Sequence, residues 1–357
     1  QEVLNGEFLI NPLNLNFDLK SLRIGLSRID VVVSQGYIVL KINKEFFPNY
    51  YKYLLRKFDI EHMKSLGQGV RQTISFNDIK DEYLVVPPYT EQKLISQYLD
   101  KKTSQIDLLI KKIEKKIELL KEQKTALINQ YVSRGLNPNI EMIDSGIDWI
   151  GKIPKTWKIS KIKYQVIVNN GSTPKSDNQL YWGNEIKWFT PSDFKNKDDA
   201  GYLWNSDRNI SVKGLSSCGC SLIEQPSLLL TTRAPVGNLS RMKVKFTFNQ
   251  GCKSLTPKGI NIDYLYYFLI TKDKFLNVIS NGTTFKELST NSLLNLKILL
   301  PSNSEQEKIV YELNKISIKY EKLISLLKNK ILILEEYHQS LISSVVTGKI
   351  RITEDMI

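Results

Sequence analysis

The chain has 357 residues, of which 41% are hydrophobic and 24% are charged, a composition that supports two folded domains and excludes an intrinsically disordered protein. Its net charge of +13 favours a polyanionic partner, most simply nucleic acid. Three cysteines without a Cys-x-x-Cys pair, together with two histidines, argue against a zinc site and fit a reducing cytoplasm. No apolar run is long enough to span a membrane, and we expect no signal peptide.

The segment VPPYTEQ, residues 86–92, raises the question of whether the chain is a DNA methyltransferase. Two prolines before a tyrosine are similar to the catalytic loop of amino-directed DNA methyltransferases, in which Asn, Asp or Ser precedes the prolines. Val86 has no side-chain acceptor, and no glycine-rich strand–turn–helix is present for S-adenosylmethionine. We interpret the prolines as the end of a strand over residues 84–86, because proline cannot continue a β-ladder. Thr90 is then expected to cap a helix with Glu91 in its first turn.

The predicted helix has a heptad pattern over residues 91–135. Apolar residues recur every seven positions, with a second set four positions further on in each heptad. At ~1.5 Å per residue the helix is ~65 Å long, which is more than a small domain covers, so we expect it to pair with another helix. Its predicted seam residues are Leu99, Ile106, Ile110, Ile113, Ile117, Leu120 and Leu127.

The sequence repeats itself 214 residues further on, where LPSNSEQEKI aligns with VPPYTEQKLI and the heptads follow without a gap. Leu300-Pro301-Ser302 stands where Val86 and the two prolines stand in the first copy, which also argues against a methylation motif. A second helix is expected over residues 304–350, opened by a capping box of Ser304 with Glu307. Its predicted seam residues are Leu313, Tyr320, Ile324, Leu327, Ile331, Leu334 and Leu341. Polar residues recur at the same a positions, Thr103 with Ser317 and Lys124 with His338.

The repeat predicts a globular segment followed by a long helix, used twice. The expected domains are residues 1–90, the helix over 91–135, residues 136–303, and the helix over 304–350. The second globular segment opens near residue 147, and its counterpart in the first copy would lie before residue 1. We therefore expect the first globular domain to lack its N-terminal portion.

Polar and aromatic residues are mixed in NNGSTPKSDNQLYWGNEIKWFTPSDF, residues 169–194. Lysines here suit phosphates, and an asparagine can pair with adenine through two hydrogen bonds. The aromatic residues Tyr181, Trp182 and Trp188 are open to either role, core being the commoner one. Residues 186–189 have the pattern of a half-buried strand.

Two further segments have the composition of contact loops. In LLLTTRAPVGNLS, residues 228–240, an apolar strand runs into Thr232 and Arg233; the arginine either binds guanine or phosphate, or is a solvated surface group. NGTTFKELS, residues 281–289, aligns with part of SLGQGVRQTIS in the first copy, and both carry a basic residue among hydroxyls and amides. Gln35 and Gln250 each precede a glycine after an apolar strand and are either turn residues or base readers.

The candidate DNA-contacting residues are Gln35, Gln68, Arg71, Thr173, Lys175, Asn178, Tyr181, Trp182, Lys187, Thr232, Arg233, Gln250, Lys253, Thr283, Thr284 and Lys286. No Ser/His/Asp set, acidic metal cluster or phosphate-binding loop stands out in the sequence, so we predict neither a catalytic residue nor a metal ligand.

In their order along the chain, these pieces resemble the specificity subunit of Type I restriction–modification systems. The resemblance rests on SGIDWIGKIPKTW, GSTPKSDNQLYWGNEIKWFTPSDF, LLLTTRAPVGN, FNQGC, NGTTFKELS, the two PxxxxEQ motifs and SLISSVVTGKIR, and it covers essentially the whole chain. It implies an α+β fold with two mixed α/β target recognition domains. Two long helices separate them and form an antiparallel coiled coil, with a pseudo-two-fold internal repeat.

The resemblance also implies the function. Such a subunit has no chemistry of its own; it reads a bipartite target in double-stranded DNA and docks two adenine-N6 methyltransferase subunits and, through them, the restriction subunits. S-adenosylmethionine, ATP and Mg²⁺ are then expected on the partner subunits and none on this chain, which would act in the cytoplasm without a membrane. The missing counterpart of residues 171–194 puts DNA reading by the first domain in doubt; a truncated chain, a fragment or a recombined partial gene would each explain it.

Two alternatives remain open from the sequence. A coiled-coil scaffold or inactive partial specificity product would bind protein but no DNA, and would leave the basic charge unexplained. An enzyme with unrecognised chemistry would need a catalytic cluster that the sequence does not show. Retention on heparin or duplex DNA, with a steep salt dependence, distinguishes the scaffold from the DNA reader.

Overall fold

The computed structural model describes residues 1–13, 23–43, 45–63, 73–233, 235–280 and 287–357. The chain forms two compact units, the first from Gln1–Lys116 and Leu326–Ile357, the second from Ile117–Ser325. Both long helices are divided, so each unit holds the beginning of one and the end of the other. No helix within the described ranges is long and apolar enough to cross a membrane.

The helices and strands of the described residues follow in chain order. The strands are β1 (Glu2–Val3), β2 (Phe8–Ile10), β3 (Ile24–Leu26), β4 (Val31–Val32), β5 (Ile38–Leu40), β6 (Met142–Asp144), β7 (Lys152–Pro154), β8 (Lys158–Lys161), β9 (Val166–Asn170), β10 (Trp182–Phe189), β11 (Arg208–Ile210), β12 (Ser227–Thr231), β13 (Leu239–Met242), β14 (Phe246–Phe248), β15 (Cys252–Pro257) and β16 (Lys297–Leu300). The helices are α1 (Pro48–Glu61), α2 (Tyr89–Arg134), α3 (Ile162–Gln165), α4 (Val212–Ser217), α5 (Ile262–Ile270), α6 (Asp273–Val278), α7 (Thr290–Asn295) and α8 (Asn303–Val346).

In the first unit, β2 is the central strand of an antiparallel sheet in the order β3-β2-β5. Its alternating pattern buries Phe8 and Ile10 on one face. Helix α1 begins with Pro48, whose fixed φ suits the first helical turn. Tyr50 and Leu54 of α1 join Phe8 in one hydrophobic cluster with apolar residues from both long helices.

The second unit contains two larger sheets. Strand β12 is buried along its whole length at the interior of the antiparallel sheet β13-β12-β15-β9. A second sheet has the order β11-β10-β14, in which β10 and β14 run parallel. The strands expected over residues 228–230 and 186–189 are confirmed as β12 and β10.

The two long helices run in opposite directions within each unit. In the first unit α2 residues up to Lys116 accompany α8 residues from Leu326 onward, and in the second unit the remaining halves accompany each other. Every predicted seam residue is buried or half-buried, which follows from the heptad repeat. The α+β fold with a coiled coil is confirmed.

Three details of the helix starts correct the expectations. Thr90 lies inside the first turn of α2, which begins one residue earlier, and α8 is capped by Ser302, whose Oγ accepts from the Glu305 backbone N–H at 3.3 Å. The expected box of Ser304 with Glu307 is replaced by this single cap two residues earlier. Residues 84–86 form no strand, because none of the described residues pairs with them, whereas β16 pairs with β8.

A glutamine fastens each long helix to its globular part. Gln92 and Gln306 each donate to the carbonyl of the proline five residues earlier, at 2.9 and 3.0 Å. Their side-chain oxygens accept from the backbone N–H groups of Phe47 and Asn261, at 2.9 and 2.8 Å. Both glutamines are buried, so the EQ of the repeated motif satisfies two backbone groups that water cannot reach.

Polar a positions near the helix starts are satisfied by a tyrosine from the globular part. The Tyr53 hydroxyl lies 3.1 Å from Thr103 Oγ1, and the Tyr267 hydroxyl lies 3.3 Å from Ser317 Oγ. Each tyrosine also donates, at 2.7 Å, to the residue three positions earlier in the helix, which is an acid in the first unit and an amide in the second.

The other polar a positions face an acid on the opposite helix. Lys124 Nζ lies 2.7 Å from Glu321 Oε1 in the second unit, and His338 Nε2 lies 3.8 Å from Asp107 Oδ1 in the first. These pairs are equivalent under the repeat of 214 residues. All four polar a positions therefore have a side-chain partner in the seam or beside it.

Candidate nucleic-acid interface

A loop leaves the four-stranded sheet of the second unit at the end of β9, where Asn170 pairs with Lys253 of β15. Gly171 starts this loop, and a Cβ there would lie 2.1 Å from the Asn249 carbonyl oxygen and 2.4 Å from that of Phe248. Only glycine fits so close an approach of two backbone segments. The Ser172 N–H then donates to the Phe248 carbonyl at 3.0 Å, which holds the loop against the second sheet.

Two tryptophan side chains fix the loop from the other side. Trp188 Nε1 donates to the Ser172 carbonyl at 3.0 Å, and Trp182 Nε1 donates to the Lys175 carbonyl at 3.2 Å. Trp188 is buried and Trp182 half-buried, so both rings pack in the structure while their N–H groups orient the loop. Direct contact of either ring with DNA stays a prediction.

A thiol donates a second hydrogen bond to the Ser172 carbonyl. Cys220 Sγ donates to Ser172 O at 3.0 Å, and its sulfur lies 3.2 Å from that of Cys218. Burial, together with the Cys218 thiol, raises the pKa of Cys220 to about 11, so the group stays protonated and remains a donor at neutral pH. The loop is thus held by backbone, indole and thiol donors.

Two of the exposed side chains of this loop were predicted to contact DNA. Thr173 and Lys175 are exposed, and Thr173 Oγ1 donates to Gln250 Oε1 at 2.5 Å, which brings two candidates together. Asn178 is half-buried, and its side-chain oxygen caps a short helical turn by accepting from Leu180 N at 3.1 Å. That bond occupies one of the two lone pairs of the amide oxygen, so pairing of Asn178 with adenine stays a prediction.

Tyr181 and Lys187 lie beside the loop in different settings. Tyr181 is half-buried, and its carbonyl accepts from the Ser211 N–H at 3.0 Å. Lys187 Nζ donates to the Trp204 carbonyl and, at 2.6 Å, to Asn205 Oδ1. Lys187 therefore supports the turn after residue 203 in this structure.

Thr232 and Lys253 are buried, which corrects the expectation that they contact DNA directly. The Thr232 N–H and Oγ1 both donate to the Gly251 carbonyl, at 2.8 and 3.3 Å. Lys253 Nζ donates to Asn170 Oδ1 at 2.6 Å and to Thr290 Oγ1 at 2.8 Å. Burial lowers the pKa of Lys253, an effect that the nearby Glu287 opposes. The sequence showed the strand end but not which side chains turn inward.

Arg233 is half-exposed at the same end of the sheet. Its Nε lies 3.4 Å from Glu287 Oε2, and the two residues also form an isolated β-bridge. A carboxylate therefore positions the arginine, although half of its side chain is exposed to solvent.

In the first unit Gln35 is exposed on a turn.

Five candidates lie outside the described residues, namely Gln68, Arg71, Thr283, Thr284 and Lys286. They stay predictions. The parts of the chain that the structure describes contain no group of three or more His, Cys, Asp and Glu residues suited to a metal ion.

Comparison with known proteins identifies the family of the chain. The family model of the type I restriction modification DNA specificity domain matches residues 23–119 and 154–335, more than half of the chain. The chain belongs to this family. As a type I specificity protein it serves DNA recognition within a restriction–modification system and is not itself a catalyst, as the sequence predicted.

Individual relatives agree with this assignment. The type I restriction enzyme MjaIX specificity subunit of Methanocaldococcus jannaschii is 41% identical over 45% of this chain and 38% of its own length, so that match spans less than half of the relative. The putative MjaX specificity subunit of the same organism is 25% identical over 97% of this chain and 79% of its own.

Solved structures show the same fold. A structure described as a type I restriction–modification system, in a study of its assembly and conformational transition, matches with a TM-score of 0.75 at 17% identity, covering 97% of this chain and 83% of that one. The HsdS subunit of Thermoanaerobacter tengcongensis matches with a TM-score of 0.54 at 18% identity, over 98% and 82% of the two chains.

Sequence reasoning missed some of the residues that fix the candidate loop. Ser172 and Cys220 were not singled out, because a carbonyl acceptor and a thiol donor leave no pattern in one sequence. Gln92 and Gln306 were read only as part of a motif, yet their recurrence 214 residues apart is a signal that could have marked them as buried anchors.

Proposed function

We propose that the second unit reads DNA sequence with the loop over residues 171–181 and the adjoining sheet end, as part of a type I restriction–modification complex. The observation that carries this proposal is the fixed loop itself: its backbone is held by donors from three directions while Thr173 and Lys175 stay exposed. Fixed backbone with exposed polar side chains suits base reading, because little conformational entropy is lost on binding.

The chain's net charge supports a DNA partner. Phosphate contacts dominate affinity for duplex DNA, and Lys175 sits on the loop where such a contact would set the register of the reading side chains. The repeated unit supports a bipartite target, with one half-site read by each unit. We propose that the ligand is double-stranded DNA and that the chain acts in the cytoplasm.

Methyltransferase subunits are the proposed protein partners, two for each chain, with restriction subunits joining through them. In both units the long helices expose apolar side chains that suit a partner helix: Tyr311 and Ile318 in the second unit, Leu108, Leu332 and Ile333 in the first. S-adenosylmethionine, ATP and Mg²⁺ are proposed to bind the partners, which supply the chemistry that this chain lacks.

Binding to duplex DNA as a function of salt tests the proposal. We expect the chain, in complex with its methyltransferase subunit, to bind a labelled duplex with an affinity that falls steeply with salt concentration. Lys175→Ala should reduce the salt slope by about one unit, as the loss of one phosphate contact requires.

Lys155→Ala is the matched control, since Lys155 is exposed in the same unit but paired with Glu141 at 2.9 Å. It should leave the slope unchanged within ~0.3 units. A complex that forms but shows no affinity for duplex DNA would contradict the proposal and leave a protein scaffold.

A further inference from the structure

Arg208 stands out because an aromatic ring orients its charge beside the fixed loop. It begins β11, opposite Trp188 of β10. Its guanidinium carbon lies 3.6 Å from the centroid of the Trp182 ring and 5.7 Å from that of Trp188, and the two indoles meet edge to face. The arginine itself is exposed.

Two carboxylates, one next to Arg208 in sequence and one on the facing strand, are engaged elsewhere. Asp207 is paired with Lys195 at 3.2 Å and accepts from the Asn196 amide at 3.1 Å. Glu185, on the facing strand, accepts from the Val212 N–H at 3.1 Å. Among the described residues no salt bridge involves Arg208, so stacking positions its charge and no acid neutralises it.

The stack is joined to the proposed reading loop. The indole that carries Arg208 is the same one whose N–H donates to the Lys175 carbonyl, and Trp188 donates to the Ser172 carbonyl. Arg208 and the exposed side chain of Lys175 are therefore attached to one rigid element of the second unit. A lysine at this place suits a phosphate, whereas a planar, oriented guanidinium suits the edge of a base.

We infer that Arg208 is a base-reading residue of the second unit and that it recognises a guanine. This inference rests on the proposed function and deepens it. Stacking covers one face of the guanidinium and leaves its N–H edge to form two parallel hydrogen bonds with O6 and N7 of guanine. The indole restricts the rotamers of a long side chain before DNA arrives, so less entropy is lost on binding. No acid needs to be displaced first.

Selection from a random duplex pool tests the inference. The full chain in complex with its methyltransferase subunit is mixed with duplexes carrying a randomised segment, and the retained duplexes are sequenced. We expect the wild-type complex to enrich a half-site with a guanine that Arg208→Lys no longer prefers. Discrimination at that one base pair should fall by about tenfold or more while the other positions keep their preferences.

Three further variants make the outcome decisive. Trp182→Ala should lose the same guanine preference because the stacking surface is gone, whereas Trp182→Phe keeps an aromatic face and should retain most of it. Lys155→Ala removes one positive charge of the same unit that is paired with Glu141 and takes no part in the stack, and it should leave the selected sequence unchanged.

The results separate this inference from the proposed function. If the wild type enriches a half-site and Arg208→Lys enriches the same one, Arg208 reads no base and only this inference fails. A uniform loss of affinity without a change in sequence would also overturn it, since that is the signature of a phosphate contact. If the wild-type complex enriches no sequence, both proposals fail.

Discussion

The two units share the contacts that fasten a globular part to a long helix, and they differ in what that globular part presents. Gln92 and Gln306 form the same pair of hydrogen bonds, and Tyr53 and Tyr267 satisfy equivalent polar a positions. In the first unit the described sheet has strands of three residues, whereas the second unit has a fully buried β12 and a loop fixed by indole N–H groups. Anchoring is duplicated, whereas among the described residues the surface proposed to read DNA belongs to the second unit.

This difference shows that anchoring contacts and reading contacts constrain the sequence in different ways. Anchoring contacts satisfy backbone groups in the same geometry in both units, so the residue types recur at a constant spacing. Under the proposed function, reading contacts would depend on the base pairs that each unit meets, so nothing would force them to recur. Substituting the equivalent anchoring residues of the two units one at a time shows how similar their contributions to stability are.

The largest effect is expected from the buried glutamines. Gln306→Ala leaves the Asn261 N–H and the Pro301 carbonyl without their partner, at a cost of about 2–4 kcal/mol in the free energy of unfolding. Gln92→Ala should cost a similar amount in the first unit. Denaturant unfolding gives the totals, and hydrogen exchange at the start of α2 or α8 locates each loss.

Gln123→Ala, on an exposed position of α2, should change stability by less than about 0.5 kcal/mol. A large loss from only one of the two buried glutamines would show that the units are anchored differently.

The charged seam pairs should give a smaller and unequal effect. Glu321→Gln weakens a bond of 2.7 Å between side chains that are only 21–22% exposed, and we expect a loss of about 1–2 kcal/mol. Asp107→Asn removes an acid 62% exposed and 3.8 Å from His338, and should cost less than about 0.5 kcal/mol. Thermal unfolding of both variants at pH 7 measures the difference. Equal losses would contradict the role of burial.

The smallest effect is a pH dependence that only one of these pairs should have. Burial lowers the pKa of His338, Arg56 lowers it further, and Asp107 opposes them. The folded state therefore favours neutral histidine, and stability is lost as the pH falls below about 6.5, where the unfolded chain takes up the proton.

Unfolding measured between pH 8 and pH 5 should show a shallower acid loss for His338→Gln than for the wild type. Glu335 and Gln339 also line the surface around His338. Both are left unchanged in the His338→Gln variant. His62→Gln is the control, because His62 is a third exposed beside Glu82 and lies away from the seam. Identical pH profiles for wild type and His338→Gln would show that the histidine is not shielded.

The heptads allowed the helix pairing to be predicted, because a period of seven leaves a trace in every turn. Leu99 and Leu313, at the same place in each copy, are both completely buried. The residues that cap the helices were harder to predict. Ser302, rather than Ser304, caps α8. Serine is a good cap at either position, and only the path of the preceding strand decides between them.

The position of the candidate loop was predictable from the sequence, whereas the burial and contacts of its side chains were not. The segment around residue 175 was recognised from its mixture of turn formers, lysines and aromatics. Whether Thr232 points inward or Lys253 is covered depends on sheet register and on Asn170 and Thr290, which are far apart in sequence. Arg208 was missed because stacking on Trp182 joins residues 26 positions apart in different strands.

The most direct test is whether the second unit selects a DNA sequence. Duplexes with two randomised blocks are bound by the complex of the full chain with its methyltransferase subunit, and the retained duplexes are sequenced. We expect at least one block to become enriched in a defined half-site, and Gly171→Ala, which forces the loop away from Phe248, to abolish that enrichment while the complex still assembles. An assembled wild-type complex that enriches neither block would contradict a reading role for the second unit.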